Sequence, residues 1–419
     1  MMKRIFAFLL ILVLAVSSAG CAENKGPGGS TDSNTSNTSN TNTSTDTNTE
    51  TPDPAQPVSA DTMPVLGRDG SVLGEIDSRA SCTAVDGGIF YSVSDLREYQ
   101  TVADTEYRFF SMESGQDIPL GTLENQGYEG MFLRTEYGGK IYTLVVQGDP
   151  VSNPQVPLIL LAADPVSGTM KKHTVSENGF PYASMAVSGG KLLIMSHEMS
   201  EPACDRIYEF DPASEALREV LTFSRDTDSL RGICAAADGF CLLRLKISGS
   251  GENEMFLDRY DGNYGRVSEE SVNEVLIRAI SEIPVCLSRE DALNELGMNV
   301  SRFAVRDGRY LIYENFGFSR LIVDLESGET VLARDDTYAV SGGSGAPYVY
   351  RMDFDPDDVE EPDITGIVDG RTEQLPFAPA DSHRLIRSVS HSAGGTWLIQ
   401  TSDVYSMLNS TFALCLWTE

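Results

Sequence analysis

Residues 206–223 of the chain read RIYEFDPASEALREVLTF. Residues 207–210 alternate apolar and polar side chains, which is typical of a half-buried strand. Residues 211–214, Asp-Pro-Ala-Ser, have the composition of a turn, and an apolar run resumes over residues 217–223. The stretch therefore predicts an antiparallel hairpin.

Similar hairpins recur along the chain, marked by two alternating turn patterns. The first is a tight glycine turn, found at Asp86-Gly87-Gly88, Gly138-Gly139-Lys140, Gly189-Gly190-Lys191, Asp238-Gly239, Asp307-Gly308, Gly342-Gly343 and Gly394-Gly395. The second is an Asp or Ser-Gly turn, found at Ser114-Gly115, Asp164-Pro165, Asp211-Pro212, Asp261-Gly262, Ser327-Gly328 and Asp369-Gly370. Short runs rich in β-branched and aromatic residues lie between these turns. Because one such unit cannot bury both its faces alone, the repeat of about four strands per unit predicts a β-propeller.

The two ends of the chain predict how this fold closes. The last unit begins near Arg384 and ends at residues 412–417, one strand short of the others. Residues 64–76 can supply the missing strand. We therefore predict an all-β fold over residues 61–419: a seven-bladed β-propeller closed by pairing its N-terminal strand with the C-terminal blade.

One segment, residues 265–300, interrupts the repeat between blades four and five. Ser288 and Asp291 have the spacing of a helix N-terminal capping box, Leu293 and Leu296 would form an apolar face, and Gly297 is placed to end the helix. Residues 272–280 fit a second helix or an outer strand. We predict a small, partly helical insertion.

The N-terminus has the three parts of an export signal: Lys3 and Arg4, an apolar stretch over residues 5–16, and the small residues before Cys21. The apolar stretch is short for a membrane-spanning helix. Cys21 after Ala-Gly resembles the lipidation site of bacterial lipoproteins, although Ser18 stands where that family usually has Leu. The resemblance implies removal of residues 1–20 and a diacylglycerol anchor on Cys21.

Residues 21–60 are dominated by Ser, Thr, Asn, Asp, Gly and Pro. With almost no apolar side chains to bury, this segment cannot recover the entropy lost on ordering, so it predicts a disordered tether. Together with the anchor it predicts a protein held at the cell membrane on the extracytoplasmic face. The alternative is an ordinary secreted protein.

The overall layout resembles bacterial β-propeller lipoproteins with repeated DGG and DP-x-SG turns. The resemblance implies binding of a ligand or partner on one face of a disc, around its central channel. The turn motifs specify fold and not function, because unrelated propellers share them.

The charge of the chain bears on its partners. Its 419 residues carry a formal net charge of -31 and the sequence pI is about 4.4. Nucleic acid phosphates would be repelled, so we predict no nucleic acid partner.

Candidate ligand-binding residues precede the innermost strand of several units. They are Tyr182, Arg231, Arg302, His383 and Arg384. Converging arginines in an acidic protein would form a local site for an anion or carboxylate. The alternative is that they are separate charges on the rim of the disc.

The sequence assigns no catalytic residues and no cofactor, since it has no GxSxG, HExxH, P-loop or GxGxxG motif after a strand. The acidic run over residues 353–363 raises calcium as a candidate ligand. It does not fit an EF-hand, because Asp358 replaces the required Gly and Ile364 the bidentate Glu. A looser calcium site and a solvated loop both remain open. His383 and His391 bracket a strand of the seventh unit, but they are too few to define a metal site.

Six cysteines remain beside Cys21, an even number in a chain with an export signal. Cys234 and Cys241 flank the turn at Asp238 and would lie opposite each other on paired strands. The alternative is that the cysteines are small buried apolar residues.

Three functions fit these observations. The first is a non-enzymatic scaffold at the cell surface that binds a protein or glycan ligand. The second is an extracytoplasmic polysaccharide lyase or hydrolase with its site in the propeller channel, which predicts a His or Tyr beside Arg and a carboxylate. The third is an envelope assembly factor whose partner docks on the insertion.

Overall fold

The computed structural model divides the chain into two units, Met1–Val58 and Ser59–Glu419. It describes part of the second, namely residues 62–94, 102–149, 152–153, 155–198, 202–247, 254–286, 288–297, 300–306, 308–315, 319–334, 338–340, 348–351, 364–368, 371–374, 384–403 and 412–418. The predicted signal, Cys21, the tether, the acidic run and His383 lie outside these residues. The described part is all-β with two short helices.

The chain begins with a pair of strands and continues into a ten-stranded sheet. The pair is β1 (Thr62–Leu66) and β2 (Val72–Asp77). The sheet contains β3 (Ser81–Val85), β4 (Gly88–Ser94), β5 (Ala103–Ser111), β6 (Asp117–Tyr137), β7 (Lys140–Gln147), β8 (Val156–Asp164), β9 (Thr169–Ser188), β10 (Lys191–Glu198), β11 (Cys204–Asp211) and β12 (Ala216–Ser224). The long strands β6 and β9 each serve two four-stranded units. The first half of β6 pairs with β5 and its second half with β7, while β9 divides in the same way between β8 and β10.

A four-stranded unit and the helical insertion follow. The unit contains β13 (Asp228–Ala236), β14 (Gly239–Lys246), β15 (Glu254–Asp261) and β16 (Arg266–Ser271). The helices are α1 (Asn273–Ser281) and α2 (Arg289–Leu296). The first residues of the predicted insertion therefore belong to the sheet, and the segment that could be helix or strand is helix α1.

Three further units complete the described chain. The fifth is β17 (Val300–Arg306), β18 (Tyr310–Asn315), β19 (Arg320–Asp324) and β20 (Thr330–Arg334), and the sixth is β21 (Tyr338–Val340), β22 (Tyr348–Arg351), β23 (Ile364–Val368) and β24 (Arg371–Gln374). The seventh joins β25 (Arg384–His391), β26 (Thr396–Asp403) and β27 (Phe412–Thr418) to β1 and β2. In that sheet β1 runs parallel to β27, with Val65 opposite Leu414. The predicted pairing of the N-terminal strand with the C-terminal sheet is confirmed.

Consecutive units contact each other, and the seventh contacts the first. Hydrogen bonds join the first and second units (Arg134 Nη1 to Thr83 Oγ1, 2.9 Å), the third and fourth (Ser188 Oγ to Gly239 O, 2.6 Å), the fourth and fifth (Arg259 Nη2 to Gly308 O, 3.2 Å), and the seventh and first (Gly394 N to Asp86 Oδ1, 2.7 Å). The second and third units contact each other through Tyr142 and Phe210, whose ring centroids are 6.1 Å apart. The fifth and sixth units share an apolar cluster that contains Ile312 and Val349, and the sixth and seventh share one that contains Tyr350 and Val389. Every unit is thus held by a neighbour on each side.

Glycine is required in the repeated hairpins for two different reasons. Gly138 and Gly139 form the turn between β6 and β7 with φ of +59° and +74°, a conformation that other residues rarely adopt. Gly239 begins β14, where a Cβ atom would lie 2.0 Å from the Tyr260 carbonyl oxygen. Glycine is needed in the first case because of the backbone conformation of the turn, and in the second because the neighbouring strand leaves no room for a Cβ atom.

Helix α2 confirms the predicted capping and corrects the predicted apolar face. The Ser288 hydroxyl accepts a hydrogen bond from the Asp291 amide at 3.1 Å, as in a capping box. Leu296 is buried, but Leu293 is 43% exposed, so its inclusion in the apolar face is wrong.

Leu276 and Ile280 of α1 belong to the same core cluster as residues of the fourth and fifth units. Among the described helices, none has the length and apolar character needed to cross a membrane.

Candidate functional site

Arg231 lies in a β-bulge at the start of β13. Leu230 pairs with Arg244 and Gly232 pairs with Leu243, so Arg231 is the extra residue between two regular pairs. A bulge bends its strand and re-aims the extra side chain, which is why bulges are common beside functional sites. The bulge is also pressed against the fifth unit, since a Cβ atom on Gly232 would lie 2.7 Å from Phe303 Cβ.

Burial opposes the charge of Arg231. The residue is half-buried, and burial lowers the pKa of its guanidinium. Tyr313 in β18 and Asp205 in β11 act in the opposite direction without outweighing burial. A cation in this situation gains from any further negative charge brought beside it.

A buried carboxylate holds the neighbouring residues in place. Asp205 is fully buried, and its Oδ2 accepts a hydrogen bond from the Leu230 amide at 2.6 Å. His197 Nδ1 lies 2.6 Å from Asp205 Oδ1, and Arg225 Nε lies 3.5 Å from the same oxygen. Asp205 therefore ties the third unit to the strand that carries Arg231.

Tyr313 of the fifth unit also lies near Arg231, and helix α2 of the insertion contacts the same strand. Tyr313 is fully buried, and burial raises the pKa of its phenol, against the effect of nearby Arg231. Two residues on, Asn315 Nδ2 donates to the main-chain oxygen of Glu295 in α2 at 2.9 Å. We call His197, Asp205, Arg225, Arg231 and Tyr313 the Arg231 cluster.

Arg302 has a similar setting one unit further on. It follows a bulge in β17, where Val300 pairs with Asn315 and Arg302 with Glu314. Burial lowers the pKa of Arg302, partly offset by Glu314 and by Tyr350 of the sixth unit. Burial in turn raises the pKa of Tyr350 to about 12. Each arginine thus interacts with a tyrosine from the second strand of the following unit.

A third arginine of this kind, Arg387, was not among the sequence candidates. It is the extra residue in the bulge of β25, between Ile386 and Ser388. Its Nε donates to the Ser402 hydroxyl at 2.6 Å, and burial lowers its pKa. The sequence does carry a signal for it: Arg231 and Arg387 both stand seven residues before a turn residue, Asp238 and Gly394 respectively.

The other predicted site residues are placed less completely. Tyr182 lies within β9 and Arg384 is the first residue of β25, but the structure describes only the backbone there. His383 lies outside the described residues. The two arginines that are fully described, Arg231 and Arg302, occupy adjacent units and interact with different residues. Neither is an exposed rim charge.

The structure places His391 in an aromatic core. It is the last residue of β25 and is buried, with its ring centroid 4.4 Å from that of Trp397 and 5.5 Å from that of Tyr348. Within the described residues, no group of three or more His, Cys, Asp or Glu side chains could hold a metal ion.

The comparisons with known proteins give little for this chain. No family model matches it, and no curated protein does. One similar solved structure is dipeptidyl peptidase 4 of Porphyromonas gingivalis, at 11% identity and a TM-score of 0.40, covering 80% of this chain and 53% of that one. Another is a structure of prolyl endopeptidases, at 14% identity and a TM-score of 0.42, covering 78% of this chain and 47% of that one. The chain spans about half the length of both.

Proposed function

We propose that the protein is a seven-bladed β-propeller closed by its N-terminal strand, exported and lipid-anchored through Cys21 on the extracytoplasmic face of the cell membrane. The contact of each unit with the next, and of the seventh with the first, supports the closed ring. The tether over residues 21–60 supports display of the ring away from the membrane.

We propose further that the ring is a non-enzymatic binding protein for a ligand that carries carboxylates, either an acidic glycan or an acidic protein segment. One observation carries this: Arg231, Arg302 and Arg387 stand at or beside the bulge of the first strand in three units, and burial lowers the pKa of all three. Such guanidinium groups match the flat, two-oxygen shape of a carboxylate.

Calorimetry with oligogalacturonate, using a neutral maltooligosaccharide of equal length as the control ligand, tests this function. We expect binding of the acidic oligosaccharide alone. Arg231→Met should weaken it at least about tenfold, since charged hydrogen bonds contribute about 1.5–3 kcal/mol. Arg79→Met is the matched control, because Arg79 is an exposed arginine paired with Asp77 in a turn. Equal affinity in both variants, or no preference for the acidic ligand, would contradict the proposal.

Fractionation of cells tests the anchor separately. The wild-type protein should remain with the membrane and take up a radiolabelled fatty acid. Cys21→Ser should lose the label and leave the membrane fraction. A Cys21→Ser protein that still carries the label would show that the anchor lies elsewhere.

The Arg231 cluster also supports a second function, a polysaccharide lyase. It contains a His, a Tyr, an Arg and a carboxylate, groups suited to an elimination at a uronic acid. The arginine would neutralise the sugar carboxylate, and the His or Tyr would take the proton from C5. The C4–C5 double bond then forms as the bond from C4 to the glycosidic oxygen breaks, and the departing oxygen takes up a proton from solvent. Incubation with polygalacturonate, followed by the ultraviolet absorbance of the unsaturated product, tests it. Turnover lost in both Arg231→Met and Arg302→Met would favour the lyase, and no turnover in the wild type would leave the binding function.

A further inference from the structure

The hairpin of β13 and β14 brings two cysteines together. Cys234 is directly opposite Cys241 in the register of the two strands. Both are free thiols and both are buried, with exposed fractions of 7% and 0%. The two thiols are close enough for each to shift the pKa of the other.

This arrangement fits the geometry of a disulfide. Residues directly opposite each other on antiparallel strands have Cα atoms about 4.5–5.5 Å apart. Disulfides join Cα atoms about 4.4–6.8 Å apart. The Cα separation expected for such a pair therefore lies within the range that a disulfide spans. We propose that Cys234 and Cys241 form a cross-strand disulfide when the exported protein folds in an oxidising environment.

The surroundings indicate which thiol reacts first. The hydrogen bond from Cys234 and the nearby Arg259, whose Nη1 lies 3.8 Å from the sulfur, lower the pKa of the Cys241 thiol. Burial raises the pKa of Cys234. The thiolate is the nucleophile in disulfide exchange, so Cys241 begins the reaction once the hairpin opens enough to admit the oxidant.

The exchange balances with a small disulfide as oxidant. The Cys241 thiolate attacks one sulfur of oxidised glutathione and releases one glutathione thiolate, which takes up a proton. Cys234 then loses its proton and attacks the Cys241 sulfur, releasing the second glutathione. One disulfide is reduced to two thiols, and the protein dithiol is oxidised.

The bond would brace the strand that carries Arg231. Cys234 lies two residues beyond Gly232, whose backbone is pressed against Phe303 of the fifth unit. Arg259 beside Cys241 donates to the Gly308 carbonyl of that unit at 3.2 Å. The disulfide would therefore fix a hairpin at the junction of two units, whether or not the proposed ligand binds there.

Alkylation and mass spectrometry of the full chain test the proposal. The protein is refolded with oxidised glutathione, because the buried thiols are reachable only while the hairpin is open. It is then denatured in iodoacetamide without reductant and digested with trypsin. Residues 232–244 contain both cysteines between two arginines and form one peptide. We expect this peptide unalkylated and two hydrogen atoms lighter than the reduced form, while Cys204 and Cys415 are alkylated.

The variants separate this bond from a general effect of oxidation. Oxidised wild-type protein should unfold at a higher urea concentration than reduced protein, and the double variant Cys234→Ser, Cys241→Ser should show no difference. Cys234→Ser should retain a mixed disulfide with glutathione on Cys241. Two alkylated cysteines in the 232–244 peptide after refolding with oxidised glutathione would overturn the proposal.

Discussion

Two arginines on adjacent strands of the fourth unit, Arg231 in β13 and Arg244 in β14, differ in how far neighbouring carboxylates compensate for burial of the charge. Arg244 is 5% exposed and contacts three carboxylates: Asp258 at 2.6 Å, Asp228 at 2.5 Å and Glu269 at 2.5 Å. Burial opposes its charge, but the hydrogen bonds to Asp258 and Asp228 raise its pKa. For Arg231 burial outweighs its neighbours, and the pKa falls.

The difference separates a structural cation from a candidate binding group. Arg244 has its countercharges built in, so a ligand would have to displace a carboxylate to reach it. Arg231 is more exposed than Arg244, and burial lowers its pKa, so an anionic ligand beside it would favour its charged form. Burial alone therefore does not identify a site; the balance between burial and countercharge does.

Arg244→Met should have the largest effect on stability. The substitution leaves Asp258, which is fully buried, without its main partner, and removing one member of a buried ion pair costs about 3–5 kcal/mol. Urea unfolding followed by circular dichroism measures the loss in the free energy of unfolding. A loss below about 1 kcal/mol would show that Arg244 is not the centre of a buried network.

Arg231→Met should cost less, about 1 kcal/mol, because removing the cation also removes the penalty of burying it. The same urea unfolding experiment gives the comparison directly. Equal costs for Arg231→Met and Arg244→Met would erase the distinction between the two arginines and remove the basis for an anion site at Arg231.

Tyr313→Phe sharpens the account of what stabilises Arg231. The phenol is neutral at pH 7, because burial raises its pKa, so it acts on Arg231 only as a dipole and its loss should cost about 0.5–1 kcal/mol. In an Arg231→Met background the same substitution should cost less, because the cation it serves is gone. Urea unfolding of the four proteins of this double-mutant cycle gives the coupling. A cost that is unchanged in both backgrounds would show that Tyr313 acts independently of Arg231.

The hairpins and the closing strand were predictable because they depend on local chemistry and on repetition. Turn residues recur at a regular spacing, and a strand missing at one end is matched by a spare strand at the other, which Val65 and Leu414 confirm. Ser288 was predictable as a cap for the same local reason. The exposure of Leu293 was not predictable, since it depends on how α2 lies against the sheets.

The candidate site was predictable only in part. Arg231 and Arg302 were chosen as residues that precede the innermost strand of their units, and the structure places both within that strand, in β13 and β17. Their interactions with Tyr313 and Tyr350 come from the following unit, and sequence spacing does not reveal that contact. The contact between His197 and Asp205 was not predictable, because the two residues meet only through the register of the β10–β11 hairpin, which the residues at its ends do not specify.

Glu209 gives the smallest effect and extends the comparison to a buried carboxylate whose two cationic partners are exposed. Burial opposes its charge, but hydrogen bonds from Arg218 and Lys191, at 2.9 Å each, lower its pKa. A carboxylate whose pKa is lowered in the folded state stabilises the protein above its unfolded pKa, about 4.3, and this contribution is lost as the pH falls through the folded value. Glu209→Gln should therefore cost about 0.5 kcal/mol at pH 7. Thermal unfolding across the pH range measures this. The variant and the wild type should converge at pH values below the lowered pKa of Glu209 in the folded state. A constant difference would mean that the cost comes from packing and that countercharge is not what matters at this position.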